Sequence, residues 1–181
     1  MALLFQSNPD QWDLRKYLTP GDEESWFVNR YFTYMKPGVL ILLWEAQGSQ
    51  SPEVRGLYGW GITLGEPVPD RRGRLRIPLQ YVERWVNAAD VNGRVPESRH
   101  IAGVPAKVVL ELPSWHNHPL NRMPAGTNFV VTAEQLRALH ALVSREYPAS
   151  AFGLAVEKDI QGLPLVPEEF EKRLVKQRVP R

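Results

Sequence analysis

Cysteine is absent from all 181 residues. That removes disulfides, cysteine-ligated zinc, iron–sulfur clusters and thiol catalysis, and it fits a cytoplasmic protein. Long apolar runs are also missing. The longest, Val39 to Trp44, has six residues, whereas a membrane-crossing helix needs about 20, so no membrane contact is expected. The first four residues carry no basic segment, and no signal peptide is expected. Nor is there an excess of one charge: 22 Lys and Arg face 20 Asp and Glu, a net +2. A protein that wraps long duplex would be far more basic, but contact with a few phosphates remains compatible. No GxGxxG opens a helix after a strand, and neither a P-loop nor a GxSxG motif occurs. Dinucleotide binding, P-loop phosphate binding and α/β-hydrolase chemistry lose their usual signatures.

The patterning predicts several short strands with bends and a few helices. Residues 3–6 read as a strand, and a short helix is expected from Pro9 or Asp10 through Tyr17. In residues 23–35, Phe27, Tyr31 and Tyr34 make one stripe at helical spacing, and Val28, Phe32 and Met35 make the next. This predicts a helix with a broad apolar face, ended by Pro37-Gly38. Val39–Trp44 reads as a strand buried on both faces. Residues 55–66 read as a strand whose glycines 56, 59 and 61 mark a bulge, a bend or a close approach. Alternation at Leu75, Ile77, Leu79 and Tyr81 predicts another strand, which Pro78 would demote to an edge or a bulge. Residues 104–112 look β-like, and a short strand is expected at 128–131. Thr132 with Gln135 forms a capping box for a helix carrying Leu136, Leu139 and Leu142. A charged helix or tail is expected after residue 166. Regular strand–helix alternation is missing, so the prediction is α+β: a small, strongly curved sheet or barrel with flanking helices.

Chemistry-bearing residues are sparse. His116 and His118 would share one face of a strand, with Glu111 the nearest carboxylate. A metal would still need a third ligand, so a hydrogen-bonded loop pair is expected instead. His140 sits mid-helix and reads as a packing residue. No metal and no cofactor are expected. Glu45 directly follows the apolar run, the setting that raises a carboxyl pKa. It is a candidate general acid or base, although a polar strand end facing a pocket is the plainer reading. The positive signal is aromatic. Eleven of the 18 Phe, Trp and Tyr residues fall in the first 60 positions. Rings flanked by Ser7, Asn8, Asn29 and Glu45 suit a flat heterocycle, stacked on its faces and hydrogen-bonded at its rim. The same rings also suit an aromatic core. Arg71, Arg72, Arg74 and Arg76 lie within six positions, in a loop that suits solvent or phosphates equally.

In order along the chain, these pieces resemble the EVE domain family of the PUA-like group. The opening LLFQSNPDQWDL is similar to the family's first strand and turn. Trp26 to Tyr31 leading into Met35-Lys36-Pro37-Gly38, Leu42 to Glu45, and Gly56 to Gly61 with Gly65-Glu66-Pro67 resemble its middle segments. Pro119-Leu120, Gly126 to Phe129 and Thr132 to Gln135 resemble its late segment and last helix. The likeness spans about residues 3–143. Val39 stands where the family has an acidic residue, and residues 87–118 have no counterpart. The resemblance implies a PUA-like barrel at residues 1–165, with a charged helix or tail at 166–181. It also implies a non-catalytic reader that holds a flipped, modified base, a modified cytosine in DNA, in an aromatic pocket. Ser7, Asn8, Trp12, Trp26, Asn29, Trp44, Glu45 and Trp60 would form the pocket. Arg30, Arg71, Arg72 and Arg74 would contact phosphates. The expected partner is nucleic acid containing a modified base, read beside a separate nuclease or other effector. An RNA-binding PUA-like module and an enzyme acting on a nucleotide or small heterocycle are the alternatives.

Overall fold

Residues 1–49, 52–85, 103–121 and 128–171 are described by the computed structural model of the chain. A single mixed sheet organises them. Strand β1 (Ala2–Ser7) leads to a one-turn helix, α1 (Leu14–Tyr17), then to β2 (Glu23–Phe27), β3 (Leu40–Glu45), β4 (Gly56–Thr63), β5 (Val68–Pro69) and β6 (Leu75–Arg84). After β7 (Val104–Pro105) and α2 (Ala106–Leu110) come β8 (Asn128–Val131), α3 (Ala133–Glu146) and α4 (Phe152–Ile160). The sheet order is β2-β6-β4-β3-β1-β8, with β5 added to β6 and β7 to β4. Strands β1 and β3 run parallel, and the other pairings are antiparallel. The sheet curls until its two end strands meet. The Asn29 N–H, just past β2, donates to Asn128 Oδ1 of β8 at 3.1 Å, and Trp26 of β2 contacts Phe5 of β1 at 5.9 Å between centroids.

The curl gives the sheet two apolar faces. Period-two alternation sorts β1 and β3: Ala2, Leu4, Leu40, Leu42 and Trp44 face the helices, while Leu3, Phe5, Ile41 and Leu43 face the inside of the curl. This is why β3 reads as an unbroken apolar run. Gly59 lies where β6 crosses closely: a Cβ there would stand 2.0 Å from the Glu83 carbonyl oxygen. Gly59→Ala is expected to cost about 2 kcal/mol by forcing two backbones apart. A urea midpoint equal to that of the parent would show that the strands separate freely there. Gly38, at φ +85°, turns the chain into β3 and takes the Leu165 N–H on its carbonyl at 2.9 Å.

Several sequence expectations change. Residues 23–35 are not a helix. Residues 23–27 form an end strand pairing Trp26 with Ile77, followed by a single 3-10 turn at Phe32–Tyr34. The aromatic spacing fits periods of both 2 and 3.6, and here backbone pairing with β6 decides. Strand β6 lies inside the sheet between β2 and β4 rather than at an edge. Pro78 is tolerated there because it sits just past the end of the β4 ladder, where its carbonyl still accepts the Leu64 N–H at 2.9 Å. Residues 104–112 give two strand residues and then helix α2, whose Val109 packs in the core. The capping box forms as expected: Gln135 N–H donates to Thr132 Oγ1 at 3.2 Å, and Thr132 N–H to Gln135 Oε1 at 2.9 Å. Phe170 is buried edge-on against Trp60 at 5.1 Å, so the chain remains attached to the core past residue 166. The expected tail from 172, the segment 86–102 and Gly126-Thr127 lie outside the described residues.

Candidate nucleic-acid interface

An open hollow of about 1040 Å³ lies where the first turn of the chain meets strand β2. That is at the upper end of small-ligand pockets. One wall is the stretch after β1. The Asn8 carbonyl accepts the Gln11 and Trp12 N–H groups at 2.9 and 2.8 Å, and Asn8 Oδ1 accepts the Asp10 N–H at 3.0 Å. This local turn presents the Trp12 ring, which stacks on Tyr17 at 4.4 Å. Another part of the lining is β2 with Trp26 and Phe27, and Arg55, Arg76 and one acid, Glu24, line the hollow as well. Arg76 is held by Asp70 at 3.4 Å and by the Ser25 carbonyl at 2.7 Å. The Trp26 indole N–H donates to the Tyr81 hydroxyl at 2.9 Å, and the Trp12 indole faces the same hydroxyl. Burial pushes the Tyr81 hydroxyl up to about 12, so it stays protonated at neutral pH.

Below this surface lies a buried carboxyl. Glu45 Oε2 accepts from Ser7 Oγ at 3.1 Å and from the Leu14 N–H at 2.6 Å. Burial raises its pKa to about 8; the bonds from Leu14 and Ser7 oppose that rise, and the Asp13 charge adds to it. Asp13 goes the other way. Burial pushes it up, but the bonds and charge of Arg15, at 2.8 Å, outweigh this and hold it below its ordinary value. Asp13 also caps α1 through the Arg15 N–H at 3.0 Å. The cluster thus fastens α1, and the turn carrying Trp12, to the ends of β1 and β3.

The structure brings together only part of the expected site. Ser7, Asn8, Trp12 and Trp26 line the hollow. Trp44 and Trp60 do not: both are fully buried on the helix-facing side of the sheet, while Trp26 packs on the other side. A cage of Trp26 with Trp44 is therefore not formed. Of the six tryptophans, Trp44, Trp60, Trp85 and Trp115 are core, and only Trp12 and Trp26 are half-buried. The Trp44 ring lies beneath the Arg55 guanidinium at 5.7 Å. Glu45 is fully buried and does not line the hollow. Asn29 and Arg30 are exposed beyond its edge. Arg71 and Arg72 sit exposed on the β5–β6 turn, and Arg74 is paired with Asp70 at 2.9 Å. Arg55, Phe27 and Arg76 also line the hollow, although the sequence did not single them out for it. Arg76 was visible in the arginine cluster. Arg55 carried no local signal, since its place depends on Trp44 and on the Leu120 carbonyl, which accepts from it at 3.2 Å.

Two histidines pack against rings. His140 meets Phe152 at 6.5 Å, whereas His116 is exposed and His100 lies outside the described residues. His118 is buried against Trp115 at 4.8 Å and bonded to the Val130 carbonyl and the Leu120 N–H, and burial lowers its pKa. Among the described residues, no three His, Cys, Asp or Glu side chains are placed to hold a metal, and no helix is long and apolar enough to cross a membrane.

No protein-family model and no curated protein matches the chain. Solved structures match its fold. The protein Rpa0253 of Rhodopseudomonas palustris superposes with a TM-score of 0.55 at 16% identity, covering 80% of this chain and 91% of that one. A hypothetical protein of Leishmania major gives 0.55 at 11% identity, covering 80% and 95%. Human THYN1, solved in complex with DNA containing 5-methylcytosine, gives 0.52 at 14% identity, covering 81% and 97%. Likeness at such identities speaks for the backbone. With its curled sheet, parallel β1–β3 pair and helices on the outer face, the chain has the α+β, PUA-like fold of the EVE domains.

Proposed function

We propose that the chain is a reader of modified bases in DNA, holding one base turned out of the stack without bond chemistry. The observation that carries this is the hollow lined by Trp12 and Trp26 together with Arg55 and Arg76. It offers indole surface to a heterocycle and cations to the adjoining phosphates. The complex of human THYN1 with 5-methylcytosine-containing DNA, on the same fold, supports the choice of ligand. The burial of Glu45 away from the hollow supports binding over acid–base chemistry. Extrusion of a base costs a few kcal/mol, and stacking on Trp26 returns about 1–3 kcal/mol. A seated methyl adds about 0.8 kcal/mol.

Matched labelled strands with and without 5-methylcytosine, titrated by fluorescence anisotropy, test the reading. The expected preference for the methylated strand is about 3- to 10-fold. Trp26→Ala should weaken binding about 10- to 100-fold, and Trp26→Phe should keep part of it. Equal affinity for both strands, unchanged in Trp26→Ala, would refute the reading.

A further inference from the structure

Four aromatic rings stand in water on one short stretch. Phe27, Tyr31, Phe32 and Tyr34 are 38%, 36%, 49% and 53% exposed. Residues 25–37 also contain Arg30 and Lys36 and no acid. Their backbone is not relaxed: Tyr31 has φ 58° and ψ 18°, a left-handed conformation that a bulky residue adopts at a cost. That kink starts the 3-10 turn Phe32–Tyr34, in which no residue is buried. Packing accounts for Val28 and Met35, which belong to the core inside the curl. It does not account for the four rings.

Position links these rings to the hollow. Phe27 ends strand β2 and lines the hollow. Farther along, Phe32 and Lys36 line a second, smaller groove of about 360 Å³, together with Glu66. Exposed aromatic residues therefore line the base hollow and, five residues further along the chain, the second groove, with cations interleaved in sequence. Rings for stacking and cations for a backbone are what an unpaired nucleic-acid strand requires. A closed duplex hides its base faces and gives such rings nothing to stack on.

We propose that Phe27, Phe32 and Tyr34 stack the unpaired bases flanking the captured one, so that the protein prefers single-stranded or locally opened DNA to a closed duplex. The inference rests on the base-reader reading for the direction of the strand, and its test separates the two. The probes are a labelled single strand and its duplex, each with and without one 5-methylcytosine. Each is titrated with the intact chain and with the double variant Phe32→Ala, Tyr34→Ala. The intact chain should bind the single strand more tightly than the duplex. The double variant should lose about 10- to 100-fold on the single strand and nothing on the duplex. It should keep the same salt dependence, because no cation is removed. Its thermal midpoint should match the parent, since both rings are exposed. Single-strand affinity unchanged in the double variant overturns the inference, and with methyl preference retained it overturns this inference alone. Loss of ring-dependent affinity without any methyl preference keeps the stacking surface and removes the reader. Self-association that the double variant abolishes, with strand binding unchanged, assigns the rings to a second copy of the chain and overturns the proposal.

Discussion

Glu83→Ala is expected to lower the stability of the protein by about 3–5 kcal/mol, read as a fall in the urea midpoint. The Glu83 side chain is buried on the helix-facing side of the sheet. Its Oε2 accepts from the Trp60 indole at 2.9 Å, from the Trp85 indole at 3.3 Å and from the Ser150 hydroxyl, and its Oε1 accepts the Ala151 N–H at 2.5 Å. Four donors thus converge on one carboxyl, and two of them lie just before α4. An alanine would leave all four without an acceptor in a region closed to water. A domain has only about 5–15 kcal/mol of stability in total, so the variant should be close to unfolding at physiological temperature. Glu83→Gln should cost less, about 1–3 kcal/mol. Its oxygen can serve the three donors on one side while its amide meets only the Ala151 N–H. A loss under 1 kcal/mol for the alanine variant would mean that these donors find other partners.

The second large effect is a pH dependence centred on Glu45. Its folded pKa, raised to about 8, stands above its ordinary 4.5. Between those values the folded protein keeps a proton that the unfolded chain has released. Stability should therefore be highest below about pH 4.5 as far as this group is concerned, and fall as pH rises to about 8. The limiting slope is about 1.4 kcal/mol per pH unit. Other groups overlap this window. Burial raises Asp159, which adds to the fall, while burial lowers His118, which opposes it. Asp13, held below 3.8, acts only at lower pH. The informative quantity is thus the difference between the parent and Glu45→Gln, whose amide stays neutral and can still accept from Ser7 and Leu14. The variant should gain on the parent steadily from pH 5 to pH 8.5. Parallel stability profiles over that range would show that Glu45 does not hold its proton. The same ionisation would loosen α1 and the turn carrying Trp12, so binding at the hollow should weaken in step in the parent and not in the variant.

Of these two carboxyls, only Glu45 could be singled out from the sequence. It follows an unbroken apolar run, and a charge placed there is conspicuous. Glu83 follows Tyr81 and Val82 and precedes Arg84 in an alternating strand, where an acid is ordinary. Its importance comes from Trp60, Ser150 and Ala151, which are remote along the chain.

Local patterning was enough wherever a feature depends on neighbours in the chain. The run of β3, the capping box of α3 and the turn after Ser7 are of this kind, whereas the close approach at Gly59 depends on Glu83 in the neighbouring strand. So is the choice of a curved α+β sheet, since short strands and interrupted helices leave few other arrangements. Tertiary structure alone decided which aromatic residues are surface and which are core. A one-residue step along a strand moves a ring from one face of the sheet to the other, and the curl then buries one set under helices and the other around the hollow. Trp44 and Trp26 look alike in the sequence, yet they lie on opposite sides for that reason. Pairing across the sheet likewise overrode the helical spacing of residues 23–35, leaving its aromatic stripe exposed to solvent.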